Sequence, residues 1–400
     1  MDTFAVNTIR PPKIPEKGHL LRVVPDNQQI AWNDTAVDLP RSTLPALLRQ
    51  AADTSPDVVA VRDSTGSLTY LELVERVHQF AHHLDELGAR RGTRIACALP
   101  RGIDAVVAQA AVFAVGAIYV PVDSSTPAAG DIVVGPAEIR DPRIADQPAV
   151  PLDHDPGFED IAYLIHSSGG PVAVSHGAIA HSTLARLHRY GVAVRRFALI
   201  SALTSDASLA GIWWTLASGG ELVLLSPDTS TAVVELTAAV SSGGVSHTLL
   251  TPSLHHALLS AVDEVAPGMR QVIVTGASCP ASLVSSHYRL LPEVSLVQEY
   301  GPVEAAGWCT SATLSPGAPV AVGTPIANAS VWVLAGDRLA EAGEVGEVCV
   351  GGAGLAFGYL GAPGLTAARF GPHPVDAGRV VFRTGDLGRW RLDGQLEVLG

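Results

Sequence analysis

The stretch FALISALTSDASLAGIWWTLASGGELVLL, residues 197–225, decides the fold. It begins with a short apolar run, continues with an apolar segment of helical length, and ends in a second apolar run after two glycines. This order predicts a strand, a helix and a strand. The same order recurs in residues 105–121 and in residues 269–301. Such alternation is typical of an α/β fold with a mainly parallel sheet covered by helices.

The flanking regions have a different character. Residues 1–41 are rich in proline and asparagine and predict an extended N-terminal linker. The alternating α/β pattern occupies residues 42–320. From about residue 321, closely spaced strands with glycine turns, such as SVWVLAG and GEVCVGG, predict a small β-rich subdomain, antiparallel or barrel-like, over residues 321–400.

Composition excludes several classes of function. With 26 basic and 39 acidic side chains the net charge is −13, and no Lys/Arg cluster is present to follow a nucleic-acid backbone or an anionic membrane. We therefore expect neither partner. The four cysteines lack the spacing of a zinc site or a disulfide framework, and the N-terminus lacks the apolar segment of a signal peptide. A reducing, cytoplasmic location is expected.

Two pairs of histidines are spaced closely enough to be considered as metal ligands. His78 and His82 lie four residues apart in a predicted helix, which could bring two imidazoles to one ion. No third ligand accompanies them, and His255-His256 has the same deficiency. The sequence favours solvated histidines at both places.

Seven short motifs occur in a fixed order along the chain. They are LTYLEL (68–73), AVGAIYVPVD (114–123), IAYLIHSSGGPVAVSHGAIAH (161–181), SDASLAGIWWTLASGGELVLL (205–225), EYGPVE (299–304), GEVCVGGAGLAFGYL (346–360) and FRTGDLGRWRLDG (382–394). Together they make residues 31–400 resemble the adenylation domains of nonribosomal peptide synthetases, in the acyl-adenylate-forming superfamily. The resemblance implies the large N-terminal core of such an enzyme, with two helix-covered, mainly parallel sheets. It also implies that the family's small C-terminal lobe, with its lysine that acts on the substrate carboxylate, would follow Gly400.

The resemblance implies a nucleotide site for ATP and Mg²⁺. Tyr300 matches the tyrosine that packs on adenine, and Asp386 matches the aspartate that binds the ribose hydroxyls. Glu304 matches the glutamate that holds magnesium, which is chemically reasonable because carboxylate oxygen suits a hard cation. Matches to the start of the phosphate loop are Ser167, Ser168 and Gly169.

An amino-acid pocket is implied in the same way. Asp206 matches the aspartate that holds the substrate α-amino group, a charge-assisted hydrogen bond; it could also cap the helix that starts there, a role that Ser205 could share. The other implied pocket residues are Ala207, Ala210, Leu249, Val274, Gly276, Glu299, Gly307 and Trp308. Glu299 is unusual in a mostly apolar pocket, since a buried carboxylate needs a donor or cationic partner. It either selects a basic or hydroxylated substrate or indicates a pocket that serves no substrate.

The phosphate loop departs from the family pattern T-S-G-S-T-G-x-P-K-G-V-x-V-x-H. Twelve positions separate the first glycine from the final histidine in that pattern, but only seven separate Gly169 from His176. The lysine is among the five missing residues, and no lysine exists beyond Lys17. Val303 and Phe357 also stand where the family has threonine and arginine. Fewer amides and no lysine would face the triphosphate, so its desolvation would be poorly offset.

Two hypotheses follow for function. The first is a degenerate adenylation-like domain, catalytically impaired or inactive, kept as a scaffold for a carrier protein, neighbouring synthetase domains or an MbtH-like helper protein. The second is an active core that forms an aminoacyl-adenylate and loads a carrier protein once its C-terminal lobe is present. An acyl-CoA ligase or a luciferase-like enzyme shares the core fold but fits LTYLEL, YVPVD and Asp206 less well.

Overall fold

Three β-sheets and ten α-helices organise the described part of the chain. The computed structural model describes residues 27–123, 130–191, 194–262, 268–376 and 378–399. The helices are α1 (Gln28–Trp32), α2 (Leu44–Thr54), α3 (Tyr70–Glu86), α4 (Ile103–Ala114), α5 (His176–Tyr190), α6 (Asp206–Ala217), α7 (Thr229–Ser241), α8 (Pro252–Ala261), α9 (Ala281–Leu290) and α10 (Pro363–Arg369). None of these described helices has the length and apolar content needed to cross a membrane.

Most strands are short. They are β1 (Val59–Asp63), β2 (Gly66–Thr69), β3 (Arg94–Cys97), β4 (Ile118–Pro121), β5 (Ile132–Val134), β6 (Ile161–Ser167), β7 (Gly170–Ser175), β8 (Arg196–Leu199), β9 (Glu221–Leu224), β10 (His247–Leu250), β11 (Gln271–Val274), β12 (Ser295–Tyr300), β13 (Thr310–Thr313), β14 (Thr324–Pro325), β15 (Ala329–Ala335), β16 (Arg338–Leu339), β17 (Gly346–Gly352), β18 (Gly358–Tyr359), β19 (Phe370–Pro372), β20 (Val380–Trp390) and β21 (Leu396–Val398). From β7 to β12 an α-helix separates each strand from the next.

The first sheet has nine strands in the order β14-β13-β12-β11-β10-β8-β9-β1-β2. Its central strands, from β12 to β1, are parallel, and antiparallel strands complete both edges. The second sheet has six strands in the order β18-β7-β6-β4-β3-β5. It is parallel from β6 to β5 and antiparallel at β7 and β18. The predicted pair of mainly parallel sheets is therefore confirmed.

Helices α2 to α6 join the two sheets, since the largest hydrophobic cluster contains residues of these helices and of both sheets. Helix α4 is covered on every side, since its residues from Ala105 to Phe113 are all buried. An alanine-rich, apolar helix sequence predicts such complete burial. A second cluster, with residues of α7, α8 and α9, covers part of the first sheet. The core is thus layered around two sheets.

Helix α3 shows how local sequence sets a helix's limits. Thr69 and Glu72 form a capping box at its start, and Gly88, at φ +89°, follows its last turn. Val77, Phe80 and Leu84 are buried as their spacing predicts. The same spacing would place Leu87 on this face, but Leu87 is the C-cap, beyond the last residue of the helix, and is 46% exposed.

The third sheet contains β16-β15-β17-β20-β19, and β21 pairs with β20. All its pairs are antiparallel. Within the described residues its order runs from an edge at β16 to an edge at β19, so the sheet is open and the barrel-like expectation is not met. The predicted small β-rich lobe itself is present.

The predicted extended linker differs from the structure over its described residues. Residues 28–32 form α1, whose Asn27 cap accepts a hydrogen bond from the amide of Gln29. Gln29 is buried, and its side-chain NH₂ group donates to the carbonyl oxygens of Val333 and Ala340 at 3.0 and 2.8 Å. Its side-chain oxygen accepts from the amide of Val333 at 2.8 Å. Asn33 does the same with both backbone groups of Val331. These side chains replace a neighbouring strand at β15, which composition alone does not reveal. Residues 1–26 of the predicted linker lie outside the described residues.

The histidine interpretation is wrong in part. His78 is 6% exposed and His255 is fully buried, so neither is a solvated histidine. His255 Nε2 lies 3.0 Å from Nδ1 of His287, and His287 Nε2 lies 2.8 Å from the carbonyl oxygen of Val294. A carbonyl oxygen only accepts, so His287 donates from Nε2 and receives from His255. Among the described residues, no group of three or more histidine, cysteine, aspartate or glutamate side chains is arranged to hold a metal ion by itself.

This histidine pair predicts acid sensitivity. Burial, with repulsion from His287 and His256, lowers the pKa of His255 to about 3, and burial also lowers the pKa of His287. Both groups stay neutral in the folded state while the unfolded chain takes up protons below its ordinary pKa of 6.5. The stability that neutral His255 contributes is therefore complete above about pH 6.5 and is lost as the pH falls from there toward 3, and the lowered pKa of His287 acts in the same direction.

We expect His255→Gln to reduce the pH dependence of stability. Glutamine retains a donor to His287 but cannot titrate, so the loss of unfolding free energy between pH 7 and pH 5 should be smaller by roughly 1–2 kcal/mol. Urea unfolding at the two pH values measures this difference. His256→Gln is the matched control, because His256 is exposed. Equal pH dependence in the His255 variant and the unmodified chain would contradict the assignment.

Candidate functional site

The site lies where the strand order of the first sheet reverses. After β8 the chain adds β9 on one side and then returns to add β10, β11 and β12 on the other. Loops at the carboxyl ends of parallel strands diverge at such a point and leave a crevice. Helix α6 starts just after β8 and brings its first turn to this crevice.

The predicted pocket residues come from the elements that meet there. Ala207 and Ala210 lie in the first turns of α6, while Leu249, Val274 and Glu299 lie at or near the ends of β10, β11 and β12. Gly276 follows β11, and Gly307 and Trp308 follow the 3-10 turn Val303–Ala305. The topology thus places these separated positions at one edge of the sheet.

Asp206 is the first residue of α6, and the helix cap is Ser205, whose hydroxyl accepts from the amide of Ala207. The helix-capping alternative for Asp206 is therefore taken by its neighbour. A Cβ on Gly307 would lie 3.1 Å from Asp206 Oδ2, so the glycine gives the carboxylate its space. Burial raises the pKa of Asp206 to about 6. It is mainly ionised at neutral pH and suits an ammonium partner.

Glu299 already has partners inside the protein. It is 1% exposed, and its Oε2 lies 2.7 Å from Nη2 of Arg186, which is 2% exposed. The hydroxyl of Tyr190 donates to Glu299 Oε1 at 2.6 Å. The charge of this carboxylate is thus compensated without a substrate, an outcome that the sequence left open.

The predicted nucleoside residues are in direct contact. Tyr300 ends β12 and its hydroxyl donates to Oδ2 of Asp386 in β20, at 2.6 Å. The backbone of Asp386 is held by Thr384, whose hydroxyl accepts from the Asp386 amide. Burial raises the pKa of the Tyr300 hydroxyl, with further contributions from Cys309 and Asp386, so this tyrosine remains a donor. The two predicted contacts to adenosine are therefore adjacent.

The segment that matches the start of the phosphate loop forms a tight hairpin. Strands β6 and β7 pair antiparallel up to Ser167 and Gly170, so only Ser168 and Gly169 make the turn. Gly170 has φ +110°, and a Cβ on Gly169 would come within 2.6 Å of the Tyr359 ring. Both glycines are needed by this geometry. A tight Ser/Gly turn thus joins the two strands.

One corner of the site joins this hairpin to Glu304. The Ser167 hydroxyl donates to Glu304 Oε1 at 3.0 Å, and the Tyr359 hydroxyl donates to the same oxygen at 2.7 Å. Glu304 is 5% exposed. Strand β18 pairs with β7 and so fixes Tyr359 beside the turn. The hydroxyls of Ser167 and Tyr359 thus stabilise the buried carboxylate of Glu304 by hydrogen bonding.

The donor set at this corner is compatible with one magnesium ligand. Both hydrogen bonds fall on Oε1, and Oε2 is the oxygen that Glu304 could offer to Mg²⁺. Magnesium sites commonly use one or two carboxylates with water and phosphate oxygens. Mg²⁺ bound there would screen phosphate charge, which this chain's own hydroxyl donors do only weakly.

Sequence reasoning missed three residues of the site. Tyr359 lies within the GEVCVGGAGLAFGYL motif but was not singled out, and Arg186 and Tyr190 lie outside all positions named for the pocket. Ser182, Arg186 and Tyr190 follow one another at four-residue spacing along α5, which places them on one helix face. That polar line in a largely buried helix was the available signal.

Comparison with known proteins agrees with this geometry. The sequence profile of the AMP-binding enzyme family matches residues 48–131 and 130–360. Together these matches cover most of the chain, and the chain belongs to the AMP-binding enzyme family. Its class is therefore that of the adenylate-forming enzymes, a family whose AMP-binding character implies the use of ATP.

Curated relatives specify the class further. The chain is 34% identical to the phosphinothricin tripeptide synthetase PhsB of Streptomyces viridochromogenes, over 94% of this chain and 35% of the relative. It is 31% identical to the pyochelin synthetase PchF of Pseudomonas aeruginosa, over 92% of this chain and 23% of the relative. The chain thus spans only a minor part of the length of such multidomain synthetases, and its core is like that of a nonribosomal peptide synthetase adenylation domain.

Solved structures give the same result. The nonribosomal peptide synthetase FmoA3 superposes with a TM-score of 0.87 at 27% identity, covering 92% of this chain and 44% of that protein. Its AMPPNP-bound form superposes with a TM-score of 0.86. These matches confirm the expected adenylation core.

Proposed function

We propose that this chain is an adenylation-like domain that keeps a nucleoside site but is impaired in binding the triphosphate of ATP and hence in activating amino acids. The observation that carries the proposal is the two-residue hairpin turn at Ser168 and Gly169. A turn of this length presents few backbone amides, and the chain has no lysine after Lys17 to add a cation. Phosphate charge would therefore be poorly compensated.

The role that remains is binding and scaffolding within a synthetase. The partners that we propose are a carrier-protein domain, neighbouring synthetase domains and an MbtH-like helper protein, as the multidomain relatives suggest. The four cysteines are free and buried, which is compatible with a reducing, cytoplasmic setting. Tyr300 and Asp386 would bind the adenosine part of the nucleotide.

An active adenylation core is the second candidate. Asp206, Tyr300, Glu304 and Asp386 are all present, and the fold gathers their elements at the reversal of the first sheet and beside the hairpin. In this alternative, Mg²⁺ held by Glu304 would supply enough positive charge without a loop lysine. The active core would form an aminoacyl-adenylate and load a carrier protein.

Amino-acid-dependent exchange of pyrophosphate into ATP separates the two candidates. The measurement uses a polypeptide that carries this chain and a C-terminal adenylation lobe, with each proteinogenic amino acid in turn. We expect exchange at background level with all of them. The matching region of the phosphinothricin tripeptide synthetase, placed before the same lobe, is the positive control. Clear exchange with any single amino acid would favour the active core.

A further inference from the structure

Arg186 is a buried cation on the inner face of helix α5. Only 2% of its side chain is exposed, although arginine is rarely buried without a compensating partner. Its Nη1 donates to the hydroxyl of Ser182 at 3.0 Å, and its Nη2 donates to Glu299 at 2.7 Å. The Nε of Arg186 is buried and has no partner among the described residues. The side chain is therefore fixed by the hydrogen bonds of its two terminal nitrogens, Nη1 and Nη2.

An aromatic face covers the guanidinium. The Cζ of Arg186 lies 4.2 Å from the centroid of the Trp308 ring, a cation–π contact. Trp308 in turn stacks on Tyr190, with the ring centroids 5.9 Å apart and the planes at 20°. Tyr190 closes the cluster by donating its hydroxyl to Glu299. A carboxylate, a tryptophan and a tyrosine together thus form a recognition site for a guanidinium, and Arg186 fills it.

This cluster adjoins the carboxylate predicted to bind the α-amino group. A Cβ on Gly307 would lie 3.1 Å from Asp206 Oδ2, and Gly307 directly precedes Trp308 in the chain. The charge of Arg186 acts on Asp206 and lowers its pKa against the larger effect of burial. Asp206 and the filled guanidinium site are therefore neighbours. An amino acid bound at Asp206 would direct its side chain toward the space that Arg186 occupies.

We propose that Arg186 is an internal occupant of the amino-acid pocket, taking at Glu299 the place of a substrate's guanidinium or ammonium side chain. Arg186 then determines specificity by exclusion: a basic amino acid is kept out because its site is filled, and Glu299 no longer selects one. The inference rests on the proposed position of the amino-acid pocket but not on the proposed loss of triphosphate binding.

Arg186→Ala opens the site and provides the test. The variant leaves Glu299 buried without its cation, and we expect the melting temperature to fall by roughly 5–10 °C. Ethylguanidine at millimolar concentration should restore at least half of this loss, while ethylurea, of similar shape and no charge, should restore none. L-arginine should bind the variant at least tenfold more tightly than it binds the unmodified chain, measured by calorimetry without nucleotide.

A second substitution separates a pocket from a merely structural ion pair. In the Arg186→Ala background, Asp206→Asn should weaken L-arginine about tenfold, because the α-ammonium group loses its charged partner. Ethylguanidine has no α-amino group, so its rescue of thermal stability should not change. Rescue by ethylguanidine without binding of L-arginine, or L-arginine binding that is insensitive to Asp206→Asn, would overturn the proposal and leave Arg186 as a structural cation.

If Arg186→Ala folds poorly by itself, the proposal can still be tested by measuring how much folded protein each small molecule recovers. The variant can then be produced and purified with ethylguanidine or ethylurea in every buffer. Recovery of folded protein with ethylguanidine alone supports a guanidinium site, and equal recovery with both, or with neither, contradicts it. Because no step uses ATP, these results are independent of the pyrophosphate exchange experiment.

Discussion

Replacing Gly170-Pro171 by Ser-Thr-Gly-Ser-Pro-Lys-Gly is expected to raise the affinity for AMPPNP at least tenfold. The change restores the family's spacing of twelve positions between the first loop glycine, Gly169, and His176. It adds backbone amides and one lysine that face the phosphates. Charge-assisted hydrogen bonds of this kind contribute about 1.5–3 kcal/mol each, and about 1.4 kcal/mol corresponds to a tenfold change in affinity.

The longer loop with glutamine in place of its lysine is the matched control. It separates the contribution of the amides from that of the cation, and we expect it to recover only part of the gain. Calorimetric titration with AMPPNP and Mg²⁺ measures the affinity, and AMP binding should be unchanged in both variants. No gain with the complete loop would mean that the impairment lies at other departures from the pattern, such as Val303 or Phe357.

Asp386→Ala is expected to weaken AMP binding roughly tenfold to a hundredfold. The carboxylate would accept hydrogen bonds from two vicinal ribose hydroxyls, and charged acceptors make the stronger bonds. The substitution also removes the acceptor of the Tyr300 hydroxyl, which lies 2.6 Å from Asp386. Calorimetric titration with AMP measures the change.

Two variants separate these contributions. Tyr300→Phe removes the hydroxyl but keeps the ring that would pack on adenine, so we expect only a small change in AMP affinity. Asp393→Ala is the control for charge, since Asp393 is an exposed aspartate of the same lobe. If all three variants bind AMP as the unmodified chain does, Asp386 is not the ribose ligand.

The sequence predicted the features that depend on regular patterns. Residues 197–225 form β8, α6 and β9 as their apolar spacing indicates, and residues 269–301 form β11, α9 and β12. Residues 105–121 differ from the prediction, because they begin inside α4 and contain only that helix and β4; the strand that precedes α4 is β3, at Arg94–Cys97. The close spacing of Ser167 and His176 along the sequence is compatible with the two-residue hairpin turn at Ser168 and Gly169. Pairs such as Tyr300 and Asp386 were named separately, and the fold brought them together.

Features that depend on contacts between distant segments were not predicted. Gln29 bonds to β15 across about three hundred positions of sequence, and no local pattern indicates such a partner. Glu299 was identified as a carboxylate that needs a donor or cationic partner, but its pairing with Arg186 depends on where the fold places α5 relative to Glu299. Burial of His255 likewise depends on the packing of α8 against α9.

Comparison of AMP and AMPPNP binding by the unmodified chain tests the central claim most directly. Both titrations are made by calorimetry with Mg²⁺ present. We predict that AMP binds at least as tightly as AMPPNP, because the adenosine contacts are retained and the β- and γ-phosphates meet little compensating charge. AMPPNP binding at least tenfold tighter than AMP would contradict the account, since it would show that the shortened hairpin still holds the triphosphate.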